Sequence, residues 1–256
     1  MRQSLMSDAA QFVNSVDLPT PKRGAVESAG VFDFDSARNQ ATVVGSDIVS
    51  FVKGVTPERR NDIVRSALLA QLVAKKRIAN PNDIYGWYDE YFNVLTNIGW
   101  VIQERSFADY NESSSDFTAH EAVLKVAAAL LGPAAPALAV LQATLGALKD
   151  MSADSPWIRL FSRESQSASS GRFQIMLVEQ GDSDQFLVSL LAFGVEATSN
   201  LTQVLFFKFR SNEVRLRHNS AKVSIDSEVL ESVREAIKNK ISLFVQDYVL
   251  ALPDLS

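Results

Sequence analysis

Two histidines, His120 and His218, are the chain's whole supply of imidazole, and it has no cysteine. That excludes disulfides, thiolate nucleophiles and thiolate-held metals. A zinc or calcium site needs several ligands at workable spacing, and no H-x-x-x-H, H-E-x-x-H or D-x-D-x-D-G run occurs. A serine nucleophile would have to borrow one of the two histidines. The G-x-S-x-G elbow is absent, and Ser170 and Gly171 fall in a serine-rich loop. His120 reads as a residue of a helix's first turn, and His218, after Arg215-Leu216-Arg217, as the end of a strand or a loop. What remains to both is titration between about pH 5 and 8. No glycine-rich phosphate loop is present, so nucleotide binding has no support. Lys75-Lys76-Arg77 reads as the end of a helix, and Arg215 to Arg217 as the solvated face of a strand. Paired carboxylates cannot be chosen from sequence, because separation in space defines the pair. The residues therefore point to a non-enzymatic protein with no cofactor and no metal.

The elements that would carry these residues belong to an ordinary folded chain: 256 residues, 46% hydrophobic and 21% charged. A net charge of −5 gives no long-range reason to expect nucleic acid or an anionic membrane as partner. The N-terminal residues lack a long apolar run, so the expectation is synthesis in the cytoplasm without a Sec-type signal peptide and release by another route. Residues 1–40 mix serine, glycine and proline with isolated apolar positions and read as a weakly ordered arm. Within it, 31–34 reads as an edge strand or an anchor. A helix is predicted over 43–53, and a second from Thr56-Pro57, with threonine as cap and proline in the first turn, to about 78. The third, from 82 or 83 to 98, carries Trp87, Tyr88 and Tyr91 on its apolar face. These three read as core, or as a half-wet platform for a ligand or partner. A strand is expected over 100–107. From 156 the texture becomes β, with strands at 157–165, 172–180, 185–199, 201–210 and 213–225 joined by short polar links, among them 181–184. An amphipathic helix over 227–250 closes the chain. The predicted class is α+β: a helical half (41–150), then an antiparallel meander of four to five strands under a long C-terminal helix (156–250), together one domain over 41–256.

One stretch, 122–148, is unlike the rest. Its sequence, AVLKVAAALLGPAAPALAVLQATLGAL, carries no charge after Lys125 and is broken by Gly132, Pro133 and Pro136. It reads as two apolar helices, 119–131 and 134–148, folded into a hairpin. The first opens on a capping box, Thr118 with Glu121. Each arm is roughly 20 Å long, against a hydrocarbon core of about 30 Å, so neither spans a bilayer alone. The run LLGPAAPALAVLQATLGAL, in an otherwise amphipathic chain, is similar to the apolar hairpin that bacterial pore-forming and insecticidal proteins keep inside a water-soluble fold. That resemblance covers about a tenth of the chain. It implies a toxin or virulence role in which Val126, Leu130, Leu131, Leu138, Val140, Leu141, Leu145 and Leu148 meet membrane lipid. It implies a lipid or host-receptor partner, with self-association into a homo-oligomer. The alternative is a soluble ligand- or protein-binding module in which the hairpin is only core.

Overall fold

A computed structural model describes residues 2–24, 32–111, 116–181, 186–198, 200–201, 203–206, 208–210, 213–253 and 255. Its centre is a mixed sheet with helices on both faces. In chain order the strands of that sheet are β1 (Gln40–Val44), β2 (Asp47–Phe51), β3 (Trp100–Val101), β4 (Ala108–Asp109), β6 (Ser170–Gln180), β7 (Phe186–Ala197), β9 (Val214–Ile225) and β10 (Val249–Ala251). They lie in the order β10-β1-β2-β6-β7-β9-β3, and β4 also pairs with β9. Strands β5 (Asp116–Thr118) and β8 (Lys208–Arg210) form a separate antiparallel pair. The helices are α1 (Arg2–Ser15), α2 (Pro57–Arg77), α3 (Ile84–Asn97), α4 (Ala119–Leu131), α5 (Pro136–Asp150), α6 (Pro156–Ser165), α7 (Ser227–Ile241) and α8 (Val245–Tyr248).

Alternation along the central strands sorts their side chains into two cores. On β6, Met176 and Val178 join a first core, while Phe173, Ile175 and Leu177 join a second; on β7, Val188, Leu190 and Ala192 face one way, and Leu191, Phe193 and Val195 the other. Helices α1, α2, α3 and α7 close the first core, and α4, α5 and α6 close the second. The α+β class predicted from the sequence is the class observed.

Several elements differ from expectation, each for a local reason. Residues 43–53 are the hairpin β1–β2, not a helix. Gly45, at φ +56°, and Ser46 make its two-residue turn. Every position of β2 is buried, so no alternation marks it as a strand in the sequence. The turn itself is buried under α2: Ser46 N–H donates to Gln71 Oε1 at 2.9 Å, and Gln71 Nε2 donates to the Val44 carbonyl at 2.6 Å. A β-carbon on Gly45 would lie 2.3 Å from that same Oε1, so the turn requires glycine on two counts.

Residues 157–165 belong to helix α6 rather than to a strand. Ser155 caps it, accepting from Ile158 N–H, and Pro156 fills the first turn. The predicted strand over 201–210 reduces, among the described residues, to β8; that over 100–107 reduces to β3. The C-terminal helix stops at Ile241 and is followed by α8 and β10, which pairs with β1. The sheet is not a pure meander, since β2 and β6 run parallel. In the N-terminal arm, Arg2–Ser15 is helical and packs on α7, with Ala9 and Val13 buried. Residue 31 and most of the link 181–184 lie outside the described residues. Phe32 and Phe34 form no strand, and Phe34 anchors edge-on against Phe51 at 5.2 Å.

Candidate functional site

The α4–α5 hairpin lies across the second face of the sheet. Both halves of the capping box form: Glu121 N–H donates to Thr118 Oγ1 at 3.4 Å, and Thr118 N–H to Glu121 Oε2 at 2.9 Å. Gly132 ends α4 at φ +95°, and Pro136 opens α5 without a side-chain cap. Packing covers the pair on one side only. One stripe, which includes Val123, Val126, Leu138, Leu141, Leu145 and Leu148, is buried against Ile48, Ile175, Leu191 and Leu216. The opposite stripe is open to solvent: Glu121, Lys125 and Lys149 lie at its ends, and between them the exposed positions are small or uncharged, Ala129, Pro133, Ala134, Pro136, Ala139, Gln142, Ala143 and Gly146. Size, rather than polarity, separates the two faces.

Six of the eight residues that the sequence assigns to lipid are therefore interior: Val126, Leu138, Val140, Leu141, Leu145 and Leu148 are all 6% exposed or less. Leu130 and Leu131, at the turn end of α4, are half-buried. A buried polar tie crosses from hairpin to sheet. Thr144 Oγ1 donates to the Val140 carbonyl at 2.8 Å and meets Ser50 Oγ at 3.0 Å, both residues being buried.

Both histidines lie along this hairpin, although they are far apart in sequence. His120, in the first turn of α4, has Nδ1 2.8 Å from Thr118 Oγ1 and its ring against Phe206. His218 is in the interior of β9, not at a strand end. It lines a cavity of about 470 Å³ under α4, with Asp109, Tyr110, Lys125, Val126 and Leu130 among its walls. Its Nδ1 is buried without a hydrogen bond among the described residues. Burial lowers the pKa of His218. Burial, followed by the nearby charge of Lys149, lowers that of His120 against the pull of Glu121. Asp109 remains an anion down to about pH 2, because Arg215 and Arg217 both donate to it.

The fold therefore favours neutral imidazoles. Above about pH 6.5 both states of the protein hold them neutral; as pH falls through that value the unfolded chain takes up protons first, and folding is penalised. Thermal unfolding should accordingly show a midpoint that drops between pH 7.5 and about 5. The double variant His120→Gln with His218→Gln should flatten that slope, and an unchanged slope would remove the histidines as its source.

Trp87, Tyr88 and Tyr91 do not form a surface. They are 3%, 1% and 0% exposed and fasten α3 to the sheet. The Tyr88 hydroxyl lies 2.9 and 2.8 Å from the carbonyls of Phe173 and Phe193, and the Tyr91 hydroxyl donates to Asp47 Oδ2 at 2.8 Å. Trp87 stacks on Tyr91, and the Arg172 guanidinium sits 4.6 Å above the indole. Asp47 is wholly buried, which pushes its carboxyl well above the usual range despite the tyrosine donor. Nothing in the local pattern around Asp47 marks it as interior; the clue is the Gly45-Ser46 turn that begins β2.

Among the described residues no group of histidine and carboxylate side chains has the arrangement of a metal site, and no helix is long and apolar enough to cross a membrane. No family model matches the chain, and no curated protein does. Solved structures that resemble it include the following two. One is a delta-endotoxin, 14% identical, covering 89% of this chain and 97% of that chain at a TM-score of 0.40. The other is the structure of the Evf virulence factor, 11% identical, covering 96% and 91% at a TM-score of 0.38. These are resemblances at the level of class, to a toxin and to a virulence factor.

Proposed function

We propose that this chain is a non-enzymatic, membrane-associating protein of the bacterial toxin or virulence type, and that the α4–α5 hairpin is the part that engages lipid. The observation that carries the reading is the absence of charge from 126 to 148 on a helix pair whose outer face, of alanine, glycine and proline, is open to solvent. Uncharged exposed surface of this kind marks sites of association. Rotation of the pair off the sheet would present Val126, Leu138, Val140, Leu141, Leu145 and Leu148 to the bilayer while Lys125 and Lys149 stay at its boundary. At 13 and 15 residues the helices reach about 20 and 22 Å, so the hairpin lies in the interfacial plane or enters as part of a homo-oligomer.

Strands offer less. β6, β7 and β9, at 11, 12 and 12 residues, are as long as barrel strands, but β6 and β7 are apolar on both faces, whereas a wet barrel needs alternate polar positions.

Flotation and dye release with neutral and anionic liposomes, from about pH 4 to about 7.5, test the reading across the range in which histidine titrates. The expected result is flotation and release that strengthen toward the acid end. Complete indifference to lipid at every pH would sink it, leaving a soluble ligand- or protein-binding module whose hairpin is core.

A further inference from the structure

We propose that the groove between α6 and the segment around α8 is a binding site for a phosphate-bearing anion. The groove has a volume of about 640 Å³, and Arg159, Ser162, Arg163, Gln203, Gln246 and Asp247 are among its walls. Arg159 and Arg163 are four apart on α6, so both guanidinium groups rise from one helix face roughly 6 Å apart at the base.

Their environments differ. Arg163 is held in place: Nε donates to Glu164 at 2.7 Å, Nη2 to the Asp247 carbonyl at 2.9 Å, and its guanidinium lies over the Tyr248 ring. Arg159 has no side-chain hydrogen bond or ion pair among the described residues, and it is exposed. The anions nearby are already matched. Glu164, nearly buried, lies between Lys75 and Arg163 at 2.7 Å from each, and Asp247 is 3.7 Å from Lys22. The groove is thus locally positive in a chain of net charge −5.

The remaining polar walls supply hydrogen bonds without partners. The Ser162 hydroxyl and the Gln203 and Gln246 amides make none among the described residues. Pro156 and Leu160 of α6 also border the groove, which runs along the side of that helix. A planar fork free to bind, a second arginine fixed four residues on, and several uncommitted donors suit a ligand with many acceptor oxygens and a negative charge. Phosphate meets that description better than a carboxylate, which has two oxygens. A lipid headgroup and a soluble phosphate ester share this chemistry.

The test is calorimetric titration of the full chain with inorganic phosphate and with glycerol 3-phosphate at fixed ionic strength. It is paired with flotation on phosphatidylcholine vesicles with and without phosphatidic acid. Wild type should bind, and Arg159→Gln should bind about tenfold or more weakly, the size of one lost charge-assisted pair, with its unfolding midpoint unchanged because the side chain is exposed. A vesicle preference lost in Arg159→Gln identifies the headgroup as the source; binding of glycerol 3-phosphate without any vesicle preference identifies a soluble ester. Equal affinity in the variant, or no binding of either phosphate by wild type, overturns the site. Dye release that persists in that last case leaves the hairpin reading standing, so the two proposals fail separately.

Discussion

Oxidation of a Ser50→Cys, Thr144→Cys variant should abolish vesicle dye release, and reduction should restore it. The native chain has no cysteine, so the introduced pair is the sole thiol pair in the molecule. The two positions already meet through side-chain oxygens 3.0 Å apart, one on β2 and one on α5, which suits the short reach of a disulfide. The bond would fasten the hairpin to the sheet at the place where Thr144 now meets Ser50. If Val126, Leu138 and Leu141 engage lipid, they must first leave Ile48, Ile175 and Leu191, and the bond forbids that. The reduced variant is the internal control, since it loses the hydroxyl pair but keeps the hairpin free. Full dye release by the oxidised protein would mean that the hairpin never leaves the sheet, and lipid would then have to be met by its outer alanine face alone.

The largest effect on stability is expected at Arg60. Its guanidinium is fully buried and lies over the Phe51 ring; among the described residues it forms no ion pair. It donates instead to the Val55 carbonyl at 2.8 Å, to Gln40 Oε1 at 2.7 Å, and to the carbonyls of Arg38 and Val52 at 3.0 and 3.2 Å. One side chain from the first turn of α2 therefore closes the entry to β1 and the exit from β2. Burial lowers its pKa to about 10, far enough above neutrality that it stays charged. Arg60→Ala leaves the Val55 and Arg38 carbonyls without this donor and takes from Gln40 Oε1 and the Val52 carbonyl one of the two donors each has, at about 1 kcal/mol for each lost bond, and it opens a cavity as well. The expected loss is about 4 kcal/mol, a large part of the 5–15 kcal/mol typical of a whole domain. Arg60→Lys should lose about half of that, because a single ammonium cannot reach acceptors on both sides of the fork. Urea unfolding measures both variants; a loss below about 1 kcal/mol for Arg60→Ala would show that water replaces the guanidinium at little cost.

The sequence is readable where a short rule acts within a few residues. Thr56-Pro57 and the Thr118–Glu121 box announce α2 and α4, and both caps form as the rule requires. Ser155-Pro156 is the same signal as Thr56-Pro57, yet it is masked by the W-I-R-L-F-S-R-E-S run that follows, whose apolar positions also fit a period of two. Reading that run as a strand also hides the Arg159–Arg163 pair, since on a strand the two would be about 13 Å apart. β2 fails for a different reason: both its faces are interior, so there is no polar side to reveal the alternation. The candidate site divides in the same manner. The hairpin and its break are visible as composition, but its two faces are not, because alanine and glycine count as apolar whether they are buried or bathed in water. The placing of His218 beneath α4 depends on β9 passing under the helix, a matter of topology that no local pattern carries.

The parallel contact between β2 and β6 has a consequence for how the protein is made. Asp47 pairs with Gln174, and Thr42 with Ala251, so β2 finds its neighbour only after about two thirds of the chain has been synthesised, and β1 only near the chain's end. Helices α2 to α6 must all be laid on one face or the other before the sheet can close between them. Contacts of such sequence separation slow folding and expose unfinished apolar surface while the chain waits. Until then the β1–β2 hairpin, buried on both faces in the finished fold, has both edges unpaired.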